Sequence, residues 1–319
     1  MKIVRRILLV IVIVFAVFSL LPFLIPLPPV GADASTLPQA ADGSFVDVNG
    51  TDTFYIERGP ADGPTMLLLH GFGGLTFSWR LNIDALAEAG YRVIAFDRPP
   101  YGLTEKRADM SLSRAAQTDF TVAFMDALDI DSAIMVGHSA GGTVIADMAL
   151  RYPERVDALV FVAGAVGSMS GGPPFVGTLL SFPPITRWAQ IIARLAVTPD
   201  FFGNTLRSAY GSPDFMTPEM AAGYATPLQV RDWDIGFVGI LRDSGGNALD
   251  ASGLSAVTVP TLLIWGENDT WVPLRVGENL HSSMTGSTLI TYPNVGHLPQ
   301  EENPAQFNAD LIAFLAASN

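Results

Sequence analysis

The chain has 319 residues, 49% of them hydrophobic and 15% charged, with no cysteine and a formal net charge of −13. This composition excludes a disordered chain, a disulfide scaffold, a thiolate nucleophile and cysteine-ligated zinc. Of the 18 basic residues, Lys2, Arg5 and Arg6 precede the first acid, which leaves 15 bases against 31 acids over the remainder. So acidic a surface repels nucleic-acid phosphates, and no nucleic-acid role is expected.

The first 30 residues read as a separate unit. Lys2, Arg5 and Arg6 are followed by an uncharged run from Ile7 to Val30. Its unbroken part, Ile7 to Leu21, would extend only about 22 Å as a helix, but continuing through Pro22 to Leu27 gives about 31 Å. That matches a hydrocarbon core of ~30 Å, and membrane helices tolerate a proline. Residues 1–30 are therefore expected to be a transmembrane anchor or a signal peptide, with the membrane crossed by residues 7–27. An anchor with its positive end in the cytoplasm holds the rest of the chain outside it. The alternative is secretion after cleavage near Ala34, because Ala32-Asp33-Ala34 resembles an A-x-A cleavage site. Residues 31–43, with small side chains and Pro38, read as a linker.

From residue 44 the pattern is that of a sheet. Phe45 to Val48 and Phe54 to Glu57 alternate apolar and polar around Asn49-Gly50, a hairpin signal at an antiparallel edge. Met66 to Leu69 is continuously apolar, as a strand buried on both faces should be, and runs into His70-Gly71-Phe72-Gly73-Gly74. A helical pattern through Trp79, Leu81, Ile83 and Leu86 closes at Gly90, and a strand over Tyr91–Phe96 ends at a loop from Asp97 to Thr104. An amphipathic helix over Ser111–Leu128, a strand over Ser132–Val136, a helix over Thr143–Tyr152 and a strand over Ala158–Val162 follow. Strands alternating with helices imply right-handed crossovers and a parallel sheet, so residues 44–163 form the first part of an α/β core.

The rhythm breaks over residues 164–256. Prolines recur there among Phe175, Phe182, Trp188, Phe201, Phe202, Phe215, Trp233 and Phe237, with helical stretches at Ile185–Val197, Pro218–Tyr224 and Leu228–Leu241. The expectation is a helical lid inserted between two strands. Residues 257–319 resume the core with strands over Pro260–Trp265 and Thr288–Tyr292 and a helix over Leu274–Leu280. A last helix, capped by Asn303 with Pro304 at its first position, runs to about Ala316.

The chemistry concentrates at Gly137-His138-Ser139-Ala140-Gly141, between a strand and a helix. Strand, G-x-S-x-G, helix is the setting of a nucleophile elbow, in which glycines two before and two after the serine relieve a tight turn. A serine hydroxyl needs a base, and the base needs an orienting acid. Among the four histidines, His70 opens a glycine-rich loop, His138 is the serine's neighbour, and His281 closes a polar helix. His297 follows a strand end in a glycine-flanked loop and is the favoured base. Asp269, just past another strand end, is the favoured acid, with Glu267 the local alternative. An oxyanion needs two donors, for which the N–H groups of Ala140 and Phe72 are the candidates. No metal or organic cofactor is implied.

The order Ser139, Asp269, His297 is that of α/β-hydrolases. With Leu68-Leu69-His70-Gly71-Phe72-Gly73, Asp97 to Thr104, Gly137 to Gly142, Gly266 to Pro273 and Gly296-His297, the chain from about Phe45 onward resembles the lidded branch of that superfamily. That branch includes esterases, C–C bond hydrolases, epoxide hydrolases and cofactor-free haloperoxidases. The resemblance implies a mostly parallel sheet flanked by helices and a serine hydrolase acting on a small apolar acyl substrate. A serine, rather than aspartate, at position 139 disfavours epoxide hydrolysis and dehalogenation. C–C bond hydrolysis and perhydrolysis use the same triad and stay open, and a catalytically idle binding protein on the same fold is the rival from another class. The loop Asp97 to Gly102 departs from the family's usual Pro-Gly-x-Gly, since Pro100 cannot take a positive φ.

Overall fold

Met66 to Leu69, apolar without interruption, occupies a strand with neighbours on both sides and helices on both faces. The computed structural model describes residues 2–167, 174–243 and 249–318. Its strands are β1 (Ser44–Val48), β2 (Thr51–Arg58), β3 (Thr65–Leu69), β4 (Arg92–Phe96), β5 (Ala133–His138), β6 (Val156–Val162), β7 (Thr261–Gly266) and β8 (Thr288–Tyr292). They form one eight-stranded sheet in the order β1-β2-β4-β3-β5-β6-β7-β8. The predicted hairpin is the antiparallel edge, with β2 also antiparallel to β4, and every pairing from β4 through β8 is parallel. Asn49 and Gly50 turn the hairpin at φ values of 53° and 78°, as a two-residue turn of matching twist requires.

The helices are α1 (Lys2–Leu24), α2 (Ile83–Glu88), α3 (Arg114–Ala127), α4 (Ala140–Arg151), α5 (Pro174–Leu180), α6 (Pro183–Ala196), α7 (Pro199–Arg207), α8 (Pro218–Tyr224), α9 (Trp233–Asp243), α10 (Leu274–Ser283), α11 (Pro299–Glu302) and α12 (Pro304–Ala317). Alternate residues of each strand feed opposite layers. Leu67, Leu69, Met135, Phe161 and Leu263 meet Phe124 of α3 and Ile145 of α4, while Met66, Leu68, Val136, Val160 and Ile264 meet Leu86 of α2 and Phe307 of α12. α3 begins three residues after the apolar pattern does, because the Ser113 hydroxyl caps it by accepting from the Ala116 N–H. Asn303 stands at the predicted cap position of α12, but its side chain makes no capping bond, and the extra turn α11 precedes it.

Helices α5 to α9 lie between β6 and β7. Thr198 caps α7, accepting from the Phe201 N–H, with Pro199 at its first position; proline spacing alone did not separate this helix from its neighbours. Leu206, Tyr210, Met220 and Tyr224 of this stretch pack with Leu75 and Leu298, which follow β3 and β8, so the stretch covers the carboxyl edge of the sheet.

α1 is long and apolar enough to cross a membrane, and Pro22 is its only buried residue. Its carboxyl end touches α6 rather than the sheet. Trp188 Nε1 donates to the Phe18 carbonyl at 3.0 Å, and Arg187 and Arg194 donate to the carbonyls of Ile25 and Pro28 at 3.1 and 2.7 Å. Residues 31–43, expected as a linker, are laid down along the protein. Ala32 pairs with Val230, and Ala34, Leu37 and Ala40 pack on Phe54, Leu103 and Val230.

Candidate active site

The turn from β5 into α4 brings backbone against backbone. A Cβ on Gly137 would lie 2.6 Å from the Gly141 carbonyl oxygen, and one on Gly141 would lie 2.5 Å from that of Leu69. At the apex Ser139 takes φ 50°, ψ −116°, a conformation held in place by its surroundings. Its N–H donates to the Val162 carbonyl at 2.9 Å, and its carbonyl accepts from Gly142 and Ala165 at the same distance. Ser139 is thus fixed at the carboxyl edge, over the first turn of α4, where free N–H groups favour negative charge.

His297 lies in the loop after β8. Its Nδ1 meets Asp269 Oδ2 at 2.7 Å, and Asp269 Oδ1 accepts from the N–H groups of Trp271 and Val272, each at 2.8 Å. The pair is buried, so the carboxylate is held by three donors out of water. Glu267, the alternative acid, is exposed and accepts instead from the Thr291 hydroxyl. With Nδ1 engaged, Nε2 is the ring nitrogen left to act, and His297 and Ser139 line the same cavity of about 250 Å³.

Two other histidines buttress this arrangement. His138 Nε2 lies 2.8 Å from the His297 carbonyl and so carries the proton that bonds it, while the two rings stand 4.8 Å apart. Burial, reinforced by His297, pulls the His138 pKa down to about 3 and keeps it neutral. His70 Nε2 accepts from the Arg98 N–H at 3.1 Å, so its Nδ1 donates to the Gly71 carbonyl at 2.8 Å. Burial and then Arg98 lower its pKa well below the ordinary value. His281 is exposed beside Ser287.

Phe72 and Ala140 line the same cavity as Ser139. Among the described residues, neither of their N–H groups donates to a protein acceptor. A Cβ at Gly71 would stand 2.9 Å from the Ser139 Cβ, so glycine lets this loop reach the serine. Asp97 staples the opposite loop by accepting from Thr76 and Leu103 at 2.6 Å each.

A second cavity, of about 260 Å³, abuts the first and shares the walls Phe72, Pro100, Tyr101, Ile240 and Trp271. Its remaining lining is drawn largely from the helices between β6 and β7, with Phe201, Phe202, Leu206, Leu228, Trp233 and Phe237. The cations at the two cavities are engaged by the protein. Arg98 donates to the His70 carbonyl at 2.6 Å and to Gln117, and Arg114 pairs with Asp147. Lys106 Nζ donates to the carbonyls of Tyr101, Gly102 and Thr104, and burial draws its pKa down to about 7. Among the described residues no three His, Asp or Glu side chains converge as metal ligands would.

Sequence reasoning did not find Trp271, whose ring lies 5.5 Å from His297, or Tyr101. Nor did it find Glu302, which accepts from the N–H groups of Gly296 and Gly211 at 2.8 Å each and so clamps the His297 loop to the segment after α7. A lone carboxylate in an acidic chain gives no local signal of such a partner.

A family described as alpha/beta hydrolase fold matches residues 64–304. A curated relative from Pseudomonas sp, a 2-hydroxy-6-oxononadienedioate/2-hydroxy-6-oxononatrienedioate hydrolase, is 30% identical over 88% of this chain and 99% of its own length. Among solved structures, a meta-cleavage product hydrolase from Pseudomonas fluorescens is 25% identical, with a TM-score of 0.72 over 87% of this chain and 98% of its own. A membrane phospholipase A, described as a bacterial virulence factor, is 20% identical. It superposes with a TM-score of 0.72 over 99% of this chain and 98% of its own.

Proposed function

The chain belongs to the α/β-hydrolase family and is a hydrolase, and we propose that the bond it cleaves is the ester of an apolar acyl chain, at a membrane that residues 7–27 cross. Ser139 Oγ attacks the acyl carbon while His297 Nε2 takes its proton. Asp269 accepts from Nδ1, fixing the tautomer and stabilising the imidazolium. The N–H groups of Phe72 and Ala140 receive the oxyanion, and loss of one such donor typically costs about 3 kcal/mol in the barrier. The imidazolium returns the proton to the departing alkoxide, so an alcohol leaves and an acyl ester remains on Ser139. Water, deprotonated by His297, attacks that ester, and the acid departs as Ser139 recovers its proton. The helices between β6 and β7 act as the lid of this site in residues 164–256, between the core segments 44–163 and 257–319.

The observation that carries the ester reading is the lining of the two abutting cavities. Aromatic and aliphatic side chains dominate it, and the terminal guanidinium nitrogens of Arg98 and the Arg114 side chain are engaged by protein acceptors. An acyl chain asks for such a surface. The anchored reading is supported by α1 and by the extent of the match to the membrane phospholipase A, which takes in α1. The test is a series of p-nitrophenyl esters from acetyl to dodecanoyl, with a fluorophosphonate as active-site label. Turnover rising with chain length and an adduct on Ser139 are expected; an unlabelled, inactive protein overturns the reading.

A second reading is C–C bond hydrolysis, favoured by the relatives at 30 and 31% identity that are named as hydrolases of dienedioates. A carboxylate of such a substrate could meet Arg98 at its buried Nε, which donates to no protein acceptor among the described residues, whereas its other two nitrogens are held by Gln117 and the His70 carbonyl. Loss of the absorbance of a 2-hydroxy-6-oxodienoate, at a kcat/KM well above that for any ester, would establish it.

A further inference from the structure

We infer that α5, α6 and α7 lie in the surface of a phospholipid bilayer and that the second cavity opens there, so that substrate is drawn from the membrane itself. The inference rests on the anchored ester hydrolase proposed above and adds the surface through which it meets its substrate.

The geometry of α1 carries the argument. From Ile7 to Leu24 its uncharged part extends about 27 Å, slightly less than the ~30 Å hydrocarbon core. A spanning α1 therefore has no length to spare, and all of it to Leu24 lies at membrane depth. Trp188 of α6 donates to the carbonyl of Phe18, and their rings stack with centroids 6.0 Å apart. Phe18 lies about 9 Å before the helix end along its axis. Trp188 is thereby carried about 9 Å below that end, within the ~5–10 Å to which an interfacial helix sinks its apolar face.

The surface that continues from this contact is apolar and uncovered. Trp188, Ile192 and Leu195 are spaced i, i+4, i+7 and form one stripe of α6. The stripe begins against α1 and runs on into solvent, where Leu195 is 78% exposed. Phe175 and Leu179 of α5 and Phe182 between the helices add to the exposed apolar surface beside it. In a chain with 31 acids, residues 174–199 contain none. An amphipathic helix of this composition lies flat in a bilayer interface. Phe201, at the start of α7, lines the second cavity and is itself 47% exposed, which puts a mouth of that cavity on the same side.

The natural absence of cysteine makes the test clean. The full chain carrying Leu195→Cys is labelled with an environment-sensitive thiol dye and reconstituted in phosphatidylcholine vesicles containing nitroxide-bearing lipid. Asp62→Cys, exposed before the amino end of β3 and so at the opposite edge of the sheet, is the control. Quenching several-fold stronger at 195 than at 62 is expected. Equal quenching in protein that floats with alkali-washed vesicles overturns this inference alone, whereas failure to float overturns the anchor as well. In a second arm, the double variant Ile192→Asp, Leu195→Asp replaces no residue that lines either cavity. It should hydrolyse a vesicle-borne phospholipid ester about tenfold more slowly than the parent and soluble p-nitrophenyl butyrate at the parental rate. Equal loss on both substrates, or on neither, contradicts the inference. An inactive parent condemns the ester chemistry and leaves the quenching experiment to decide the surface.

Discussion

The sheet and the helices between β6 and β7 are both rich in apolar side chains, and they use them differently. Along β3, β5 and β7 the side chains are almost wholly buried, and their alternation feeds two closed layers. Along α5 to α7, Phe175, Leu179, Ile192 and Leu195 stand in the open. Both patterns satisfy a secondary-structure period, but only the first is satisfied by the chain itself. Backbone bonds tie Ser139 to Val162 of β6 and Asp269 to Gly266 of β7, and the His297 loop, beyond β8, adds one bond to the other region, its N–H donating to the Ala209 carbonyl after α7. The helical stretch supplies the cavity walls and leaves an uncovered face beside α1. The contrast separates what makes the reaction run from what decides where it runs and on which acyl chain.

The largest effects belong to the sheet edge. Ser139→Ala should remove turnover of p-nitrophenyl butyrate by at least about 10⁴-fold with an unchanged melting temperature, since members of such a triad act as a unit. A rate that survived would move the chemistry off the sheet edge and dissolve the contrast. Asp269→Asn keeps the shape but removes the acceptor that fixes the His297 tautomer, and about 10⁴-fold in kcat is the expected cost. If Glu267 restored most of that activity, the buried pair would be less rigid than its three donors imply.

The walls should give smaller and selective effects. Phe202 lines only the second cavity. Phe202→Ala should change kcat/KM for a decanoyl ester by about tenfold and leave an acetyl ester nearly untouched, as pocket contacts worth ~1–3 kcal/mol do. Equal effects on both esters would mean that this helix shapes the reacting centre and not just the substrate preference.

The same contrast explains what was legible in the sequence. The parallel order of strands, the hairpin at Asn49-Gly50, the glycines around Ser139 and the positions of Asp269 and His297 follow from local steric rules and strand ends, which neighbouring residues specify. The helices between β6 and β7 were visible as composition and proline punctuation, and α7 was blurred because its neighbours share its character. Residues 31–43 looked like a tether because small residues and proline carry no period. Their partners, Phe54, Leu103 and Val230, are distant in the chain. Glu302, Trp271 and the carbonyl contact of His138 were invisible for the same reason: each acquires its meaning from a partner that local sequence does not name.

A further effect, on stability and not on rate, probes whether the sheet edge stays closed beneath the helices above it. His138 is buried against His297, with its pKa drawn from 6.5 to about 3 by burial first and by His297 next. Between those values the unfolded chain binds a proton that the folded chain refuses, so stability is present above pH 6.5 and is lost as pH falls toward 3. From pH 7 to pH 5 the parent should lose about 2 kcal/mol more than His138→Gln, read from urea midpoints at the two pH values. In the native parent, the His138 ring resonances should show no titration above pH 4. A native midpoint near 6 would require water or a counter-charge at the ring, reached by the helices above it lifting away from the edge. Rigidity would then end at the backbone of β5, and the boundary between the two regions would run through the active site instead of above it.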